Sequence, residues 1–126
     1  GDDVSIIAMG RMVLFAEESI IKLKSEGINC DLIDLRTTSP LDENAILDSV
    51  EKTGRVVIVD ESTPRCSLAS DIAGFIVSHG FSSLKAPVQQ VTSPHAPVPF
   101  ARELERAYVP SPDNISSAVR RVMNYK

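Results

Sequence analysis

Short apolar runs alternate along the chain with longer segments of helical spacing. Val4–Ala8 is a run of mainly apolar residues, closed by Met9-Gly10. Over Val13–Glu26 the apolar residues recur three and four apart. Val13, Ala16, Ile20 and Leu23 share one face with Leu14 and Ile21 beside it, and Glu17, Glu18, Lys22 and Lys24 supply the wet side. Gly27 follows, where a helix end calls for a left-handed residue. Ile28–Leu35 reads as a second strand of mixed polarity. Asp42 is placed to cap a helix through Lys52, with Ala45, Ile46, Leu47 and Val50 inward and Gly54 at its end. Val56–Val59 is four consecutive β-branched apolar residues, the mark of a strand covered on both faces. Ser67 opens a third helix running to about His79, in which Leu68, Ile72, Phe75 and Ile76 recur at helical spacing and Gly80 is the terminator. Val88–Thr92 is a fourth strand, and a short helix is expected over about Phe100–Tyr108. Ser111-Pro112 starts the last helix, with Ile115, Ala118, Val119, Val122 and Met123 as its apolar stripe.

This alternation predicts parallel strands joined by right-handed crossovers. The expected fold is α/β, a three-layer α/β/α sandwich on a mostly parallel sheet of four to five strands. It forms one domain over residues 1–126.

Composition narrows the function. A chain of 126 residues, 43% hydrophobic and 24% charged, is an ordinary globular domain rather than a disordered one. The net charge is −4 and the basic residues are scattered, so nucleic acid is not an expected partner. No apolar stretch reaches the ~18 residues that a membrane span needs. The chain starts Gly1-Asp2-Asp3, without a basic-then-apolar leader and without Met, and is expected to be a piece of a longer polypeptide. Cys30 and Cys66 fit reduced thiols better than a disulfide framework, which suits a cytoplasmic protein.

No catalytic set stands out. Gly10 follows a strand and precedes a helix, but Gly10-Arg11-Met12-Val13 lacks the further glycines of a dinucleotide fingerprint. It is a plain turn or, at the helix start, an attractor of anions. There is no Walker A sequence, no Gly-x-Ser-x-Gly elbow and no metal-spaced His or Cys cluster. His79 sits where a helix C-terminus favours a cation. Ser93-Pro94-His95-Ala96-Pro97-Val98-Pro99 must be extended and stiff, because each proline lacks an N–H and restrains its predecessor. His95 on it is either an acid/base or a packing residue. Cys66, beside Arg65 and ahead of a helix, is either a reactive thiol or a turn residue. Asp60-Glu61 lies at the carboxyl end of the most buried strand, where the acids bind a cation or a basic partner, or are simply solvated. Asp34 and Arg36 can pair with each other or with a neighbouring domain. The residues thus describe a domain that works attached to, or beside, something else.

Two motifs carry a resemblance. Asp34-Leu35-Arg36-Thr37-Thr38-Ser39-Pro40-Leu41-Asp42 resembles the signature of the transketolase C-terminal domain, in the form found in beta subunits of 2-oxoacid dehydrogenase decarboxylating components. Pro94-His95-Ala96-Pro97-Val98-Pro99-Phe100, followed by Leu104-Glu105 and Tyr108-Val109-Pro110-Ser111, is similar to the closing segment of the same subunits. Pyruvate-type members carry a glycine-rich stretch after the third strand. Pro64-Arg65-Cys66-Ser67 and Asp71-Ile72-Ala73 stand there instead, which resembles acetoin dehydrogenase beta subunits.

The resemblance implies enzymology based on thiamine diphosphate and magnesium in the full enzyme, with an acyl group passed to the lipoyl group of an acyltransferase. It implies no catalytic, cofactor-binding or metal-binding residue here, because the family's Gly-Asp-Gly motif is missing, and the isolated domain is expected to be inactive. What it implies instead is assembly. The expected partners are the amino-terminal domain of the same beta subunit, the alpha subunit, a second beta subunit and, near Arg120–Lys126, the dihydrolipoyl acyltransferase. The interface candidates are Gly10, Arg11, Arg36, Glu61, His95, Pro97, Pro99 and Phe100. The family sheet also implies an antiparallel strand ahead of this chain, spatial order second, first, third, fourth for the rest, and an open edge at Cys30–Leu35. Two other readings are a flavodoxin-like module holding a small anion at Gly10-Arg11, and the C-terminal domain of a transketolase or deoxyxylulose-phosphate synthase.

Overall fold

A computed structural model describes residues 1–126. Four strands, β1 (Val4–Met9), β2 (Cys30–Leu35), β3 (Val56–Val59) and β4 (Gln89–Val91), form one sheet in the order β2-β1-β3-β4. Every neighbouring pair is parallel, so all four carboxyl ends lie along one margin. The expected order is therefore met, and the sheet has four strands.

Alternation within each strand sends side chains to two separate cores. Val4, Ile6 and Ala8 of β1 join Val57 and Val59 of β3 beneath α1 (Met12–Ser25) and α5 (Pro112–Met123). Ile7 of β1 joins Val56 and Ile58 of β3 beneath α2 (Glu43–Thr53) and α3 (Leu68–Gly80). All four residues of β3 are buried, as a doubly covered central strand requires. The remaining helix, α4 (Arg102–Tyr108), has no buried residue and belongs to neither core.

Local chemistry sets the helix ends. The Asp42 carboxylate accepts from the Ala45 N–H at 3.1 Å, and the Ser67 hydroxyl accepts from the Ser70 N–H at 3.2 Å. Ser111 and Asn114 cap each other's backbone N–H groups, with Pro112 in the first turn of α5. Gly54 ends α2 at φ 71°.

Two expectations are corrected, the buried stripe of α1 and the start of the short fourth helix. The buried stripe of α1 is Met12, Ala16, Ser19 and Leu23, so the helix is rotated and Leu14 and Ile21 are 63% and 73% exposed. Ser19 belongs inside because its hydroxyl meets that of Ser116 on α5 at 2.8 Å, a pairing that apolar periodicity does not reveal. Gly80 is the last residue of α3, as expected. It is buried in the last turn, where an added Cβ would stand 3.4 Å from both Leu47 and Val50, and the chain continues into a 3-10 turn over Phe81–Ser83. The short fourth helix begins at Arg102, not Phe100.

Candidate functional site

The segments that leave the four strands converge on the carboxyl margin of the sheet. β1 leads to Gly10 and Arg11, β2 to Arg36, β3 to Glu61, and β4 to the loop with His95, Pro97, Pro99 and Phe100. All eight interface candidates thus lie on one side of the domain. Strand order reverses between β1 and β3, which is where open α/β sheets form a crevice.

The structure joins two of the eight directly. Gly10, at φ 55°, turns the chain so that Arg11 occupies the N-cap position of α1. The Arg11 guanidinium donates to a Glu61 carboxylate oxygen at 3.0 Å and stands 5.8 Å from the centre of the Phe15 ring. Arg36 is bonded within its own strand end, its Nε donating to Asp34 at 2.8 Å, and the neighbouring Ser39–Pro40 peptide is cis. His95 is exposed and makes no side-chain hydrogen bond. His79 lies elsewhere, on the last turn of α3, with Nδ1 3.0 Å from the Phe75 carbonyl oxygen.

Asp60 and Glu61 are not a paired acidic site. Glu61 faces Arg11, whereas Asp60 is 6% exposed and turns inward. The Asp60 carboxylate accepts from the Ser62 N–H at 3.0 Å, the Ser62 hydroxyl at 2.6 Å and the Ala69 N–H at 3.4 Å. It fixes the loop between β3 and α3. Cys66, in the same loop, has φ 51° and is exposed, and Ser67 rather than Cys66 caps α3.

The loop after β4 is pinned at its base and held outward beyond it. Ser93, 1% exposed, donates its N–H to Ser62 at 3.0 Å and its hydroxyl to Glu61 at 2.8 Å. The Tyr108 hydroxyl closes the far end on the Ala96 carbonyl at 2.9 Å. Between these anchors no residue from Pro94 to Tyr108 is buried. Val98 is 69% exposed, Phe100 fully exposed and Leu104 61% exposed. Sequence spacing could not single out Leu104, because its exposure follows from α4 standing off both cores.

No cluster of three or more His, Cys, Asp or Glu side chains is placed to hold a metal ion. Every buried side-chain polar atom already has a hydrogen-bond partner. No helix is long and apolar enough to cross a membrane.

A parallel sheet with two helices on each face and its loops gathered at the carboxyl margin defines an α/β/α sandwich domain. The chain belongs to the family described as transketolase, C-terminal domain, which it matches over residues 1–115. It is 48% identical over 123 residues to the beta subunit of acetoin:2,6-dichlorophenolindophenol oxidoreductase of Cupriavidus necator, covering 98% of this chain and 36% of that protein. It is 37% identical over 126 residues to the pyruvate dehydrogenase E1 component subunit beta of Rickettsia bellii, covering 100% and 39%. The chain therefore spans little more than a third of these curated relatives, and it is more similar to the acetoin-type subunit than to the pyruvate-type one, as Pro64–Ser67 suggests. Among solved structures, a split-gene transketolase described as an inactive β4 tetramer superposes with a TM-score of 0.83 at 27% identity, covering 98% of this chain and 39% of that one.

Proposed function

We propose that this domain is the C-terminal assembly domain of the beta subunit of a thiamine-diphosphate-dependent dehydrogenase that acts on acetoin or a 2-oxoacid. Its task is to hold neighbours in place: the amino-terminal domain of the same subunit, an alpha subunit and a second beta subunit. The dihydrolipoyl acyltransferase is a further neighbour, near Arg120–Lys126. Thiamine diphosphate and magnesium belong to the assembled enzyme, in which electron-sink chemistry is the cofactor's. The domain supplies a rigid surface and carries none of the chemistry itself.

One observation carries this reading. The segment from Pro94 to Tyr108 is ordered by hydrogen bonds at both ends, yet it presents Val98, Phe100 and Leu104 to solvent rather than to a core. Apolar side chains held out on a pinned, proline-stiffened segment gain burial only from a neighbour. The 48% identity to a subunit named as beta supports the same conclusion. The second reading, a transketolase C-terminal domain, draws on the 27% identity to the split transketolase and is the weaker likeness.

The test is co-expression of the longer beta subunit containing this chain with its alpha subunit. The V98S/F100S/L104S variant is compared with wild type by size-exclusion chromatography with light scattering. The variant is expected to lose the assembled species while keeping its folded circular dichroism spectrum. Unchanged assembly would overturn the reading.

A further inference from the structure

Arg102 and Arg106 stand one turn apart on α4 and take part in none of the chain's ion pairs. Both line a cavity of about 330 Å³, completed by Arg11, Phe15, Glu105 and the start of α5 at Ser111. Three guanidinium groups and one carboxylate therefore surround this space, in a chain whose net charge is −4. Glu61 occupies only one amino group of Arg11.

The cavity also coincides with the start of α1. That helix has 14 residues, no side-chain cap and no acidic residue in its first turn, so the chain offers nothing of its own to balance its positive end. The start of α5, by contrast, is satisfied internally by Ser111 and Asn114. The cavity lies between the start of α1, α4 and the start of α5, and Arg11 connects it to Glu61 at the carboxyl margin of the sheet.

Arg102 and Arg106 have no ion-pair partner, unlike Arg11, which Glu61 already engages, and a bound anion relieves the repulsion between such like charges. We infer that this cavity binds a small phosphate-type dianion, either inorganic phosphate or the phosphoryl group of a small phosphomonoester. Arg102 and Arg106 grip the oxygens, and Arg11 at the helix start orients them. Guanidinium forks match phosphate oxygens in a planar, paired geometry. Glu61 already faces Arg11, so the two ion-pair-free guanidinium groups of Arg102 and Arg106 are the ones that meet a phosphate carrying about −1.5 to −2 at pH 7. The apolar flank of Phe15, Val109 and Pro110 faces the remaining volume, where an organic substituent fits. Arg102 and Arg106 are not among the interface candidates and are not the apolar residues on which the assembly reading rests, so the two readings are tested by different variants.

The experiment is calorimetric titration of the protein with inorganic phosphate and with glycerol 3-phosphate, at an ionic strength held constant with chloride. Saturable binding is expected for wild type, weakened at least about tenfold in R102Q/R106Q and unchanged in K24Q, a control on the exposed side of α1. Both arginines are exposed, so the double variant keeps the fold. Tighter binding of glycerol 3-phosphate assigns the site to a phosphomonoester, and equal binding assigns it to free phosphate. No saturable binding of either anion, or equal affinity in R102Q/R106Q, overturns the inference. So does loss of subunit association in R102Q/R106Q with phosphate binding intact, which would assign the arginines to an acidic protein partner.

Discussion

Arg11 and Glu61, 50 residues apart in sequence, form a 3.0 Å ion pair across the point where the strand order reverses. Both side chains are 51% exposed, so water and salt screen the pair. Its worth lies in setting the spacing of two loops. R11Q or E61Q is expected to lower stability by about 0.2–1 kcal/mol, less at high salt. Urea unfolding at low and at molar salt measures both effects, and a salt-insensitive loss would contradict the screening argument.

Two left-handed glycines make a matched comparison. Gly27 has φ 82° with open space where a Cβ would stand, while Gly54 has φ 71° and would place a Cβ 2.7 Å from the Ser83 carbonyl oxygen. Gly54 is also held by Lys85, whose N–H donates to its carbonyl at 2.7 Å. G27A should cost about 1–2 kcal/mol, the left-handed penalty alone. G54A should cost clearly more, because the steric conflict is with backbone. Thermal unfolding of the two variants checks the order, and equal losses would refute it.

Asp31 links the sheet to α2. Burial alone would raise its carboxyl, but the Lys52 ammonium at 2.6 Å and the Ser49 hydroxyl at 2.7 Å outweigh burial and hold it below the usual carboxylate range. A folded-state value below the unfolded one means that the stabilisation is present above about pH 4 and is lost as pH falls through the folded value. D31N should therefore lower stability at neutral pH and flatten the acid limb of a stability–pH curve. An acid limb identical to wild type would show that other carboxylates set it.

The two thiols should separate kinetically. Burial, with Asp3 nearby, pushes the half-buried Cys30 thiol up to about 11, leaving roughly one thiolate in a thousand at pH 8. Cys66 is exposed on its loop. Reaction with a chromogenic disulfide at pH 8 is expected to show one fast equivalent, abolished in C66S, and one slow equivalent that appears on unfolding. Two fast equivalents in the native protein would contradict the burial of Cys30.

The caps at Asp42, Ser67 and Ser111 and the turn at Gly10 were legible because each rests on local chemistry, whereas the strand order followed from the family resemblance, since apolar alternation alone does not say which strands are neighbours. The buried serines were not. The Ser5 hydroxyl meets the hydroxyls of Ser49 and Thr53 at 2.7 Å each, so polar residues fill a core position by satisfying one another across 44 to 48 residues of sequence. The same pairing principle places Ser19 inside and turns Leu14 and Ile21 out. Of the candidate site, the eight residues at the carboxyl margin follow from the alternation of strands and helices. The meeting of Arg11 with Arg102 and Arg106 does not, because it depends on how α4 returns over the start of α1.

Pro94, Pro97 and Pro99 fix the backbone of the outward loop before anything touches it. A neighbour settling there immobilises little that was free, so most of the burial of Val98 and Phe100 is retained as affinity. Replacing those rings with flexible residues would leave Val98 and Phe100 in place and still weaken adhesion, since the unbound loop would then have many more shapes to give up.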